Sequence, residues 1–198
     1  MKVLTVDNDR LRLLCRDLLE RAGRLSGKPD CIIGIATGGV YVARILGSAP
    51  VFEIECRRPS TERKQAPAVR KLLASLPSAV SDMLRKAEHY LLTLGKPDDK
   101  REVKATTALT EYLAANPKAR VLVVDDAVDS GATMKAVVGW LESVAPEVSV
   151  TTAAVTVTTP SPAIRPDVVI FDKGILCRFP WSADFKSSKK QDENSGGY

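Results

Sequence analysis

Short apolar runs alternate along this chain with longer segments whose apolar residues recur every three to four positions. Residues 31–35, 51–56, 121–124, 148–157 and 168–171 are continuous or near-continuous apolar stretches rich in Val and Ile, the pattern of strands buried on both faces. Between them, residues 40–46 and 134–143 carry helical spacing, the second through Ala136, Val137, Trp140 and Leu141. Residues 9–25 form an amphipathic helix whose stripe is Leu11, Leu14, Cys15, Leu18, Leu19 and Ala22. Strands that alternate with helices predict an α/β fold with a doubly wound, mainly parallel sheet.

Two stretches depart from this alternation. Residues 59–117 read as a helical insertion, with Val80, Met83, Leu84, Ala87, Leu91 and Leu94 on one face and Gly95 and Pro97 closing that segment. It is open to three uses: a lid, a dimer contact or a partner surface, and residues 61–64 at its start are the part expected to move. Residues 186–198 are polar with Gly and Ser, which predicts a disordered tail. The remainder, residues 1–185, is expected to be a single domain.

Composition narrows the chemistry. At 198 residues the chain is long enough for one sizeable core. No signal-peptide core and no apolar run of membrane-spanning length is present, so the expectation is a soluble cytoplasmic protein with no membrane partner. Cys15, Cys31, Cys56 and Cys177 are scattered without a Cys-x-x-Cys pair, and His89 is the one histidine, in a helical stretch. Reduced structural cysteines follow, and a His-dependent hydrolase or a zinc enzyme does not fit. The net charge of +5 is concentrated at Arg57, Arg58, Arg63, Lys64, Arg70, Lys71 and the tail lysines, with little aromatic interleaving. A polyanionic small ligand accounts for it as well as nucleic acid does.

The chemistry is written most plainly in residues 121–133. The apolar run Val121 to Val124 ends in the paired acids Asp125 and Asp126, at the strand end where open α/β sheets place ligands. A turn, Ser130, Gly131, Ala132 and Thr133, then opens a helix. Its backbone N–H groups, approached closely at Gly131 and joined by two hydroxyls, suit a monophosphate. Carboxylates that accept from hydroxyls at one end and an anion nest at the other point to a sugar phosphate.

This segment resembles the 5-phosphoribosyl 1-pyrophosphate (PRPP) motif of the type I phosphoribosyltransferases: two acids, two small or apolar residues, a third acid and a Ser/Thr-Gly-x-Thr turn. The resemblance implies that Asp125 and Asp126 hold the ribose hydroxyls, that Ser130, Gly131, Ala132 and Thr133 hold the 5′-phosphate, and that the catalytic Asp129 faces the incoming base. A second turn, Ala36, Thr37, Gly38 and Gly39, lies between a strand and a helix and is similar to the family's pyrophosphate loop. Many members carry Arg or Lys where Thr37 stands here, so the cation for pyrophosphate is expected from Arg57 or Arg58.

Toward the C-terminus, a hood over residues 158–185 is implied, with base contacts from Lys173, Ile175, Phe179 and Trp181. Asp172, Lys173, Phe179, Pro180 and Trp181 are similar to elements of the purine (hypoxanthine/xanthine-guanine) branch. Gly174 occupies the place of a base-stacking aromatic in those relatives, and residues 158–162 lack the lysine that contacts an exocyclic oxygen. For Phe179 and Trp181, stacking on a base and simple packing are equally compatible with the sequence.

The implied reaction is displacement of pyrophosphate from PRPP by a ring nitrogen of a purine or related base. Mg²⁺ would be held mainly by PRPP, with Asp125 and Asp126 as the protein's nearest oxygens and no protein cage. The same resemblance implies a homodimer. A non-catalytic PRPP or nucleotide sensor, with nucleic acid as a partner, is the alternative reading.

Overall fold

Period-two alternation within the apolar runs decides how the chain is layered. The computed structural model describes residues 2–57, 101–172, 174–182 and 185. Ile32, Leu122, Val124, Ala153 and Val155 point to one face of the main sheet, and Cys31, Ile33, Val121, Val123 and Ala154 to the other. Each run is therefore apolar throughout because both of its faces are covered by helices.

In chain order the elements are β1 (Lys2–Thr5), α1 (Asn8–Ser26), β2 (Cys31–Ile35), α2 (Gly38–Leu46), β3 (Val51–Arg57), β4 (Glu102–Ala105), α3 (Thr107–Ala115), β5 (Arg120–Val128), α4 (Ala132–Val144), β6 (Ser149–Val157), β7 (Val168–Asp172) and β8 (Ile175–Arg178). The main sheet has six strands in the order β4-β3-β2-β5-β6-β7. All pairs are parallel except β3 with β4. From β2 the chain winds outward through β3 and β4, then returns to β5 on the opposite side of β2 and continues to β6 and β7. The crevice at the carboxyl ends of β2 and β5 is thus the switch point of a doubly wound sheet.

Helix α1 starts at Asp7, whose carboxylate accepts from the Arg10 N–H at 2.8 Å, and ends at Gly27 with φ of 83°. It buries Leu11, Cys15, Leu18 and Ala22, and each fully buried leucine contributes about 1.5–3 kcal/mol. Helix α2 covers the same face of the sheet, while α3 and α4 cover the other.

Two features depart from the sequence reading. The span 59–117, expected to be helical, contains strand β4, which pairs antiparallel with β3 from Ile54↔Ala105 to Arg57↔Glu102. Its α3 portion is helical as expected, and residues 58–100 lie outside the described residues, as does the tail from 186. At the other end, β1 was not anticipated. It forms a separate two-stranded parallel sheet with β8, from Lys2↔Ile175 to Thr5↔Arg178. The Thr156 hydroxyl, which donates to the Ile175 carbonyl at 2.8 Å, ties this small sheet to β6. Strand β5 also runs further than the apolar run alone suggests. Its pairing with β2 ends at Gly34↔Val124, but its pairing with β6 continues to Val128↔Val157, so Asp125 and Asp126 lie where β5 emerges from beside β2.

Candidate functional site

The first of the two turns singled out in the sequence packs against the acidic end of β5 at this crevice. A methyl group on Gly38 would stand 2.1–2.4 Å from the carboxyl atoms of Asp126, and one on Gly39 would stand 2.4 Å from the Val124 carbonyl oxygen. The glycine pair therefore exists because β5 occupies the space a side chain would need. Both glycines lie in the first turn of α2, whose N-cap residue Thr37 is exposed and makes no side-chain capping bond. The first-turn amides of a helix have no intrahelical acceptor, which leaves this turn suited to an anion. The Ala36–Thr37 peptide is cis.

Asp125 and Asp126 keep some accessible surface, but their carboxyl groups are enclosed by protein atoms. The Asp125 Oδ1 atom accepts from the Asp126 N–H at 2.9 Å, and the Asp126 Oδ1 atom accepts from the Ala127 N–H at 3.0 Å. Desolvation, and then the neighbouring Asp126 charge, push the Asp125 carboxyl well above the ordinary carboxylate range. Desolvation also raises Asp126, against which the Trp181 indole N–H holds it down. A carboxyl whose folded pKa is raised costs stability at pH values above that pKa, and the cost fades as the pH falls through it toward the unfolded value. Asp125→Asn keeps the acceptor oxygen and removes the charge. It is expected to raise the melting temperature at pH 7 by about 2–6 °C, a gain that narrows on acidification, while weakening sugar-phosphate binding. Differential scanning calorimetry across pH, paired with ligand titration, checks both signs.

The third acid is fixed by a residue the sequence reading did not single out. Thr158 is buried, its N–H bonds the Val128 carbonyl at 3.0 Å, and its hydroxyl donates to the Asp129 Oδ1 atom. No local signal marks Thr158. The parallel register Val128↔Val157 is what sets it beside Asp129.

The turn at residues 130–133 opens α4. Gly131 caps α4 at φ of 74°, and the carbonyl of Ile164 and the amide of Ala163 would stand 2.8 and 2.9 Å from a methyl there. The Ser130 carbonyl accepts from the Ala163 N–H at 2.7 Å, which holds the turn open against the 163–164 segment. The hydroxyl of Thr133 accepts from the Arg101 guanidinium at 2.6 Å. Arg101 immediately precedes β4, so the antiparallel strand missed in the sequence is what carries a cation to the Ser130–Thr133 turn.

Arg101 is a cation that the sequence reading did not name, and its contact is at this turn, whereas Arg57 and Arg58 are the cations expected at the Gly38–Gly39 turn. Arg57 is exposed and paired with Glu55 at 2.8 Å on the edge of β3, and Arg58 lies outside the described residues. Replacing Arg101 with methionine, which keeps much of the stem, removes a charged donor. Such donors are worth about 1.5–3 kcal/mol, so calorimetry is expected to show PRPP affinity reduced at least about tenfold.

On the hood side, Lys173 lies outside the described residues. Ile175 opens β8 opposite Lys2 and packs against the core. Gly174 has φ of 71°, a conformation that an aromatic residue in its place would strain to adopt. Phe179 is buried and stacks with Trp181 at 4.9 Å, and Trp181 stacks also with Tyr41 at 4.9 Å. The two rings thus form a three-ring stack with Tyr41. The Trp181 indole Nε1–H donates to the Asp126 Oδ2 atom at 3.0 Å, a bond between hood and acid that no local pattern marks.

Among the described residues no group of three His, Cys, Asp or Glu could enclose a metal ion, and no helix is long and apolar enough to cross a membrane. The hard oxygens of Asp125 and Asp126 fit a divalent cation shared with ligand oxygens.

The profile of the phosphoribosyl transferase domain matches residues 84–184, slightly more than half of the chain. The chain belongs to that family. Comparison with curated proteins yields no match. Among solved structures, the Helicobacter pylori xanthine-guanine-hypoxanthine phosphoribosyltransferase is similar with a TM-score of 0.59 at 16% identity, covering 90% of this chain and 91% of that one. A purine phosphoribosyltransferase from Pyrococcus horikoshii gives 0.55 at 18%, covering 94% and 98%. A Neisseria gonorrhoeae protein with bound ppGpp gives 0.61 at 18%, covering 97% and 94%. At these identities the shared property is the fold, the doubly wound sheet of the type I phosphoribosyltransferases.

Proposed function

We propose that this phosphoribosyltransferase-family protein transfers the 5-phosphoribosyl group of PRPP to a purine or related nitrogenous base with release of pyrophosphate. The observation that carries the reading is the packing of the Gly38–Gly39 turn against the acidic end of β5, the strand that leads directly into the Ser130–Thr133 turn at the start of α4. A ribose 5-phosphate fits their chemistry: hydroxyls donate to Asp125 and Asp126, and the phosphate accepts from the amides at the start of α4, with Arg101 beside it. The amides of Gly38 and Gly39 then face the pyrophosphate. When bound, Mg²⁺ supplies neutralisation of the charge that builds on the departing pyrophosphate.

Asp129, held by Thr158, takes the place of an acceptor or general base toward the ring N–H of the incoming base. The C1–O bond to pyrophosphate breaks as the C1–N bond forms, and the ring proton leaves toward the carboxylate. No protein group becomes covalently attached. Positioning and charge complementarity carry the rate.

The test is product formation. The full chain is incubated with PRPP, Mg²⁺ and, separately, hypoxanthine, guanine, xanthine and adenine, and chromatography follows the new 5′-mononucleotide. Appearance of a nucleotide with one base supports transfer and names the acceptor. The similarity to a protein with bound ppGpp favours a second reading, a nucleotide-binding regulator. Calorimetric binding of PRPP or a guanine nucleotide, with no product from any base, would select it.

A further inference from the structure

Both oxygens of the Asp126 carboxylate accept hydrogen bonds from the protein, Oδ1 from the Ala127 N–H and Oδ2 from the Trp181 indole Nε1–H, each at 3.0 Å. The two donors come from different parts of the fold. Ala127 follows Asp126 on β5, whereas Trp181 lies beyond β8 in the hood. The indole ring is itself fixed. It lies within 10° of parallel to Tyr41 and within 7° of parallel to Phe179, each ring centroid 4.9 Å away. Tyr41 sits on α2 three residues after Gly38, the glycine whose missing side chain leaves room for this same carboxylate.

We propose that Trp181 is a positioning residue for ribose binding, its indole N–H aiming the Asp126 carboxylate while Tyr41 and Phe179 hold the ring. The stack alone does not require tryptophan, since phenylalanine would satisfy it. What tryptophan adds is one donor, and the structure spends that donor on the acid. A carboxylate oxygen accepts more than one hydrogen bond, so Asp126 retains capacity for a sugar hydroxyl while its direction is set. Through this contact the hood, the start of α2 and the ribose acid form one unit. Trp181 thereby acts on the sugar end of the ligand rather than as a platform for the base. Naming ribose as what Asp126 holds rests on the transferase reading above.

The chain has two tryptophans, so Trp140→Phe leaves Trp181 as its sole indole. In that full-length protein the indole ¹H–¹⁵N signal is expected to move when Asp126→Asn is added and to move again on saturation with PRPP and Mg²⁺. Separately, Trp181→Phe keeps a ring for the stack and removes the donor. It is expected to raise the KM for PRPP about tenfold, with the KM for the base unchanged and the effect on kcat smaller than that on the PRPP KM. An indole signal indifferent to Asp126→Asn, or a PRPP KM unchanged in Trp181→Phe, would overturn the proposal. Should Trp181→Phe not fold, the indole signal still decides. Calorimetric PRPP affinity that falls in Trp181→Phe, in a protein that makes no nucleotide with any base, supports this inference while ending the transferase reading. Absence of any PRPP binding ends both.

Discussion

Gly38→Ala is expected to lower PRPP affinity at least about tenfold, a loss of about 1.4 kcal/mol, while the protein melts near the wild-type temperature. The added methyl would overlap the end of the Asp126 side chain at 2.1–2.4 Å, and that carboxylate can rotate away where backbone cannot. Rotation gives up the hydrogen bonds from Ala127 and Trp181 and turns the acid out of the ribose position. Its cost to the fold is offset in part by the helix propensity of alanine in α2, worth about 0.5–1 kcal/mol over glycine.

The neighbouring substitution separates function from fold. Gly39→Ala would drive its methyl to 2.4 Å from the Val124 carbonyl oxygen and 3.0 Å from the Asp125 Cα, both backbone atoms of β5. Overpacking against backbone of this kind costs about 1–3 kcal/mol, so Gly39→Ala loses both binding and melting temperature. Gly139→Ala, on an exposed turn of α4 with nothing within 4 Å of the added methyl, is the control that should stabilise slightly. Calorimetry and thermal melts of the three variants distinguish a glycine required by the ligand site from one required by the sheet. Equal PRPP affinity in Gly38→Ala and wild type would mean that Asp126 is not held where the ribose binds.

Local patterns were legible in the sequence, and long-range ones were not. The β5-turn-α4 segment could be read from residues 121–133 because strand, acids, turn and helix follow one another directly. The glycine turn after β2 was readable for the same reason, although its physical cause, exclusion of any side chain by Asp126 and Val124, depends on the pairing of β2 with β5. Strand β1, with only Val3 and Leu4 partly buried, has no pattern of its own and exists through β8. Strand β4 is similarly short and half-exposed, and it was absorbed into a helical reading of its surroundings. Without it, Arg101, which β4 brings to Thr133, had no place in that reading. Thr158 and Trp181 were hidden in the same way, since each acquires its partner from strand register or hood packing rather than from neighbours in sequence.

Under the proposed transfer, Asp129 carries the chemical step. It stands apart from the adjacent acids Asp125 and Asp126, and the buried Thr158 hydroxyl fixes its direction. A carboxylate in that place accepts the ring proton as the C1–N bond forms, a contribution of about 10²–10⁴ in rate. Its removal leaves the turns around PRPP in place, so Asp129→Ala should bind PRPP nearly as wild type does and turn it over far more slowly.

The measurement that bears most directly on the central claim is base-dependent pyrophosphate release from PRPP and Mg²⁺, wild type beside Asp129→Ala, with PRPP binding confirmed for both by calorimetry. Phosphoribosyl transfer at this site requires release by the wild type with at least one purine or related base, and a fall of about 10²–10⁴ in the variant at little-changed PRPP affinity. Folded wild-type protein that binds PRPP and releases no pyrophosphate with any base, or an Asp129→Ala variant as fast as wild type, would contradict it.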